Sequence, residues 1–219
     1  MTSEGLHKLT AIHIYGRVHF ATQLLPLLRA GASTLARVIF VAAGAHEGPI
    51  DPTDFPALKQ PLSTYRGHTC SMTSLCMQRL AESAPDVAFV NDYPGLVVTK
   101  LVTSFSGLYG ALLRLLVALV GWWVAVPLEE SAARHLFLVT SEAYRPREGA
   151  GMGVPLVQGL EVHGGIDGKA GSGVYSVGSD GEGPGEKAVA LLDGYRKDGM
   201  QDQVWAHVTG ELERIELEC

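Results

Sequence analysis

Two pairs of ionisable residues directly follow short apolar runs. His46 and Glu47 come just after Arg37–Gly44 (RVIFVAAG), while Asp92 and Tyr93 close the run DVAFVNDY ahead of Pro94 and Gly95. Further candidates stand on helix-like segments: His13 within residues 5–30, and Tyr65 with Arg66 at the head of residues 64–82. Imidazole changes charge near neutral pH, a carboxylate accepts protons and a phenol donates one, so such a set can move protons without redox chemistry. Enolisation, dehydration, double-bond isomerisation and cyclisation of a polyketide or terpenoid fit that repertoire. We expect His13, Tyr65, His46, Glu47 and Asp92 in catalytic roles, with Tyr15, Arg66, Tyr93, Pro94 and Trp122 as substrate contacts.

Each candidate also has a plain structural role open to it. His13 can satisfy a hydrogen bond between packed helices, Tyr65 with Arg66 can cap or pack a helix, and His46 and Glu47 can be solvated loop residues. Asp92 can accept backbone hydrogen bonds in its turn, and His68 reads as a surface residue. His7, His13 and His19 do not repeat at a helical spacing, so no metal site is expected. The glycines of GGIDGKAGSG lack the strand–loop–helix setting and terminal GKS/T of a phosphate loop.

The elements that must position these groups follow from periodicity. Residues 5–30 carry Leu9, Ile12, Val18, Leu24, Leu25 and Leu28 at helical spacing and end at Gly31, which suits a C-terminal cap. Arg37–Gly44, DVAFVNDY and SGVYSV read as buried strands, separated by helices at 64–82, 105–125 and 129–141. Gly149–Gly173 reads as a flap, and residues 186–216 as two helices broken near Gly199. Helices alternating with apolar strands predict an α/β fold with a parallel sheet, in one domain over 1–219 whose segment 105–165 forms an apolar helical lid and a glycine-rich flap.

Composition narrows the setting. The chain has 219 residues, 47% hydrophobic and 18% charged, with a formal net charge of −6. It has no basic run, so no nucleic-acid partner is expected. Its three cysteines form neither a C-x-x-C pair nor a disulfide framework, and the N-terminus lacks a secretory pattern; a cytoplasmic protein is expected. Leu108–Val126 is nearly continuous in apolar residues, interrupted by Arg114. We read it as a buried or partner-facing helix, with a weak membrane-surface contact as the alternative.

Several stretches in this order carry a family likeness: YGRVHFATQLLPLLRA, RVIFVAAG, MTSLCMQRLAE, YPGLVVT and GSGVYSV. Together, over about residues 5–178, they resemble the C-terminal half of the short-chain dehydrogenase/reductase family, in its fungal secondary-metabolism form. Pro94-Gly95-x-Val97-x-Thr99 is similar to the turn that the family sets against the nicotinamide ring. The resemblance implies a truncated Rossmann-like sheet of about three strands, Met1 falling after the family's glycine-rich nucleotide turn. Aligned on these stretches, His13 takes the place of the family's helix asparagine and Ala42-Ala43 that of its serine. The family's tyrosine falls at Pro61 or Leu62, and its lysine at Tyr65 or Arg66.

Those replacements remove the lysine that lowers the acid's pKa and the serine that orients a carbonyl, so the expected protein has lost redox function and uses no cofactor. It would act on a small hydrophobic secondary metabolite. The alternatives are a non-catalytic partner or regulator of a full-length enzyme, and an NAD(P)-dependent reductase with a divergent site. The resemblance further implies a homodimer, formed through the helices 5–30 and 64–82 or through the open strand edge at 37–43, because an unpaired apolar edge invites pairing.

Overall fold

The computed structural model describes residues 1–98 and 107–218; within the helix at 107–124, the side chains at 108, 109, 113, 120, 122 and 124 lie outside that description. A short helix α1 (Lys8–Thr10) runs through a π-helical turn (Ala11–Tyr15) into α2 (Gly16–Ala30). Then come β1 (Arg37–Val41), α3 (Leu62–Ser83), β2 (Ala88–Asp92) and the two-residue β3 (Leu96–Val97). They are followed by α4 (Gly107–Val124), β4 (Ala125–Val126), α5 (Leu128–Thr140), β5 (Val174–Val177), α6 (Glu186–Lys197) and α7 (Met200–Glu218).

The strands β1, β2 and β5 lie side by side in that order, all parallel, with helices on both faces. This is the α/β, Rossmann-like class expected from the sequence. β2 is central and buried at every position, apolar through Ala88–Val90 and polar only at its mouth, in Asn91 and Asp92. Register aligns the strand ends: Val41 pairs with Asp92, which pairs with Val177. The loops after these residues thus open on one rim, where parallel sheets gather their functional groups.

Alternation along β2 sends successive side chains to opposite faces. Phe89 joins the main core with Ile14, Val18, Met72, Leu75, Leu80, Val204 and Val208, supplied by the first helix, α3 and α7. Val90 joins a smaller core with Leu138, Tyr144, Tyr175 and Val177 under α5. The same alternation separates Asn91 from Asp92, which decides where each can act.

The helix at 64–82 is enclosed within this one chain: α3 lies between β2 and α7, and residues 68–77 along it are all buried. The outer face of the π turn and α2, with Ile12, Phe20, Leu24 and Leu27, is exposed beside β1, the edge strand among the described residues. His68, expected at the surface, is fully buried. Its Nδ1 accepts from the Asp51 N–H (3.1 Å), and its Nε2 donates to the Phe55 carbonyl (3.2 Å). It pins the loop after β1 onto α3. Among the described residues no helix is long and apolar enough to cross a membrane.

Candidate functional site

The cleft at the mouths of β1 and β2 is assembled by close backbone approach. The loop leaving β1 lies so near α3 that a Cβ on Gly48 would stand 3.0 Å from Gly67 Cα. Ser71 Oγ bridges the same contact: it donates to Gly48 O (2.7 Å) and accepts from Gly48 N–H (3.0 Å). Ala45, in this loop, holds a left-handed φ of +58°, a conformation that costs free energy in a residue with a Cβ. On the other side, the π turn sets His13 against the first turn of α3. Such turns insert one residue into a helix and recur at functional sites.

The resulting cleft encloses about 210 Å³ and is lined by His13, Ala42, Ala43, Tyr65, Asn91 and Tyr93, among others. Tyr65 Oη lies 3.3 Å from His13 Nδ1 and 3.4 Å from Thr10 Oγ1. Thr10 spends its own proton on Pro56 O (2.9 Å). Tyr65 therefore donates either to Thr10 or to His13; in the first case His13 Nδ1–H can donate back to Tyr65. Burial, with help from nearby Arg17, lowers the His13 pKa and keeps its imidazole neutral. Burial raises the Tyr65 phenol above its usual range, and the Thr10 hydrogen bond opposes that shift.

Asn91 is fully buried in the same cleft. Its Nδ2 contacts Cys70 Sγ at 3.5 Å, and its Oδ1 has no partner. An unsatisfied buried carbonyl costs about 1–3 kcal/mol, so this atom is short of a donor. The Cys70 thiol donates to Ala43 O (2.9 Å), and burial pushes its pKa upward, so it is no nucleophile.

The sequence candidates divide among several places. His13, Tyr65, Arg66 and Tyr93 meet at this cleft, with the Arg66 guanidinium 4.0 Å above the Tyr93 ring. His46 stands behind Tyr93: its ring meets that ring edge-on at 4.8 Å, and its Nδ1 donates to Gly44 O (2.7 Å). Glu47 points into α3, where Oε1 accepts from Ser74 Oγ (2.8 Å) and Oε2 is buried without a partner. Tyr15 is away from the cleft, in the main core, with its hydroxyl 2.7 Å from His207 Nε2. The side chain of Trp122 and residue Thr99 lie outside the described residues.

Asp92 faces the other side of the sheet, together with Pro94. There a second cleft of about 460 Å³ lies between α5, the mouth of β5 and the glycine-rich segment. Asp92 Oδ2 is 3.1 Å from His135 Nε2, while His135 Nδ1 donates to Ser131 O (2.7 Å). Burial raises the Asp92 pKa; His135, followed by Arg134, pulls it down. His135 and Asn91 were missed in the sequence. Asn91 was visible as the polar residue next to Asp92 in an otherwise apolar strand, whereas His135 carries no local signal on α5.

The fold class brings a dinucleotide into consideration, and the strand mouths test it. A pyrophosphate needs open backbone N–H groups beside glycines. At the mouth of β1, a Cβ on Gly44 would meet Asn91 O at 2.1 Å and Val177 O at 2.4 Å. After β2, Gly95 is closed by Ser179 Cβ at 2.9 Å, and after β5, Gly178 is closed by Asp180 Oδ1 at 2.8 Å. Each glycine is packed against protein, so these mouths do not fit a phosphate cradle. Among the described residues no cluster of ligating side chains suits a metal either.

No protein-family profile matches the chain. It is 37% identical to the oxidoreductase AN1596 of Emericella nidulans, and 32% identical to the oxidoreductase andH of Emericella variicolor. These matches cover 97% and 98% of this chain, and 63% of each relative. The short-chain dehydrogenase/reductase SAT2 of Stachybotrys chartarum is 28% identical over 98% of this chain and 60% of its own length. The chain thus spans less than two thirds of the curated relatives it matches, and what it resembles is a group of fungal oxidoreductases that includes a short-chain dehydrogenase/reductase.

Proposed function

We propose that the His13–Tyr65 cleft binds a small hydrophobic metabolite carrying a carbonyl and moves a proton on it without redox chemistry. The observation that carries this reading is the contact of a neutral imidazole with a phenol in a largely apolar cleft that has no lysine among its described lining residues and has alanines at 42 and 43. With Nδ1–H donating to Tyr65 Oη, His13 presents Nε2 as a base. Nε2 takes a proton from the carbon beside the carbonyl. Tyr65 passes its proton to the carbonyl oxygen and receives the Nδ1 proton in exchange. An enol forms, no electrons leave the system, and His13 ends in its other neutral tautomer. As Nε2 gains its proton, the ring becomes a stronger donor to Tyr65 and raises its acidity at the moment of transfer. Asn91 Oδ1 would accept from a hydroxyl elsewhere on the substrate.

Hydrogen–deuterium exchange beside the carbonyl of decalone in heavy water, followed by NMR, tests the step. Exchange should exceed the buffer rate and fall by about 100-fold in His13→Gln and in Tyr65→Phe, the lower end for a lost general acid or base. Exchange equal to buffer, or undiminished in both variants, rejects the assignment.

A second reading, NAD(P)-dependent oxidoreduction, is favoured by the likeness to relatives named as oxidoreductases. It requires the phosphate-binding part of the site to lie outside the strand mouths described above. Titration with NADPH separates the two: a saturable change in cofactor fluorescence supports oxidoreduction, and its absence supports the proton-transfer reading.

A further inference from the structure

We infer that the second cleft, on the α5 side of the sheet, is a binding site for a neutral, mostly apolar alcohol, recognised through the Asp92–His135 pair. The inference does not rest on the proton-transfer reading, since Asp92 and Asn91 face opposite sides of β2. The cleft has the volume of a small-molecule pocket, and its walls are mainly apolar, including Phe137, Leu138, Leu160 and Val177. Its distinctive polar feature is a carboxyl with only 5% of its side chain exposed. A carboxyl in such surroundings must be compensated or protonated.

The compensation specifies the ligand. His135 Nδ1 is committed as a donor to Ser131 O, so the ring already carries one proton there. Its Nε2, 3.1 Å from Asp92 Oδ2, must then share a second proton with the carboxyl, or two lone pairs would face each other. Apart from that contact, Oδ2 is buried and has no partner among the described residues. The pair is therefore neutral as a unit, and it keeps an acceptor at the cleft. Arg134 adds positive charge nearby, with its guanidinium donating to Ser179 O and paired with Glu130.

Glu161 and Asp180 also line the cleft, but a cationic amine seated on Asp92 itself would have to displace the shared proton and sit beside His135 and Arg134. A ketone would bring an acceptor to an acceptor. A hydroxyl group supplies the donor that is missing, and an apolar body fills the rest of the cleft.

Adamantanol, adamantanone and adamantylamine share one apolar cage and differ only in that group, so calorimetric or NMR titration of the three decides the case. The alcohol should bind saturably and at least about tenfold more tightly than the other two, as expected when a site built for a donor meets a ligand without one. Binding of the alcohol should be lost in Asp92→Ala and in Leu160→Trp, and kept in Tyr65→Phe, which alters only the first cleft. Should Asp92→Ala fail to fold, Leu160→Trp decides alone, because position 160 is 49% exposed and tolerates a larger side chain that fills the cleft. Equal binding of the amine or ketone, undiminished binding in the cleft variants, or no saturable binding of the alcohol would overturn the proposal.

Discussion

Helix α3, of 22 residues, and helix α4, of 18, reverse the usual link between composition and burial. α3 is rich in Ser, Thr and Cys, yet it is the most enclosed helix in the described structure. α4 is mostly Leu, Val, Ala and Trp, yet Leu112, Leu115, Leu116, Leu119 and Trp123 are exposed. The difference lies in what surrounds each hydroxyl. Thr69 and Thr73 donate to carbonyls one turn back, Ser71 to Gly48 O, and Ser74 to Glu47, so each of these four hydroxyls enters the core with a partner. Burial follows from available partners and neighbouring elements as much as from hydropathy. It also gives the first cleft its chemistry, because Tyr65, Arg66, Thr69, Cys70 and Thr73 all come from α3.

The sharpest test of this contrast is truncation of one leucine in each helix. Leu75→Ala in α3 removes a side chain with no exposure and should cost about 2–5 kcal/mol in chemical denaturation. Leu116→Ala in α4, at 56% exposure, should change stability by no more than about 0.5 kcal/mol. Equal losses would erase the distinction between the helices. Ser74→Ala comes next: it strips Glu47 Oε1 of its donor and leaves a half-buried carboxyl, whose Oε2 is already unpartnered, with neither oxygen satisfied, at a cost of about 1–3 kcal/mol.

A gentler change is expected with pH. His13, against α3, and His207, against Tyr15, both have pKa values lowered by burial from an ordinary 6.5. The unfolded chain therefore binds protons at these residues that the folded chain refuses. Stability is fully present above pH 6.5 and declines as pH falls below it toward the depressed folded values. Asparagine at both positions should flatten the melting temperature over that window, and an unchanged slope would locate the proton uptake elsewhere. The smallest effect belongs to α4. Leu119→Lys should leave the denaturation midpoint within about 0.5 kcal/mol of the parent, and a larger loss would mean that this face is covered in solution.

Much of the fold was legible because β-branched runs and helical spacing are local signals. All three core strands and the break at Gly199 were read that way. The site was only half legible. His13 and Tyr65 were paired through a family likeness, which carries long-range information that spacing lacks. Asp92 was grouped with them because it stands at the right strand mouth, yet period-two alternation was enough to send it to the opposite face once Phe89 and Asn91 were assigned inward. His68 was read as a surface residue, and Glu47, given a catalytic role, had a solvated loop as its plain alternative because that loop is rich in Pro, Asp and Gly. Nothing local announced the Gly48–Gly67 approach that presses this loop onto α3. α4 shows the opposite failure, an apolar signal with no information about what it meets.

Tyr93 lines both clefts, gripped by Arg66 on its face and by His46 at its edge. The ring acts as a party wall between two rooms. With both clefts occupied as proposed, a guest that leaned it outward to gain space on one side would take that space from the other, and the two would compete without touching. Thermodynamic linkage makes that rivalry mutual: whatever factor the first guest imposes on the second, the second returns in full.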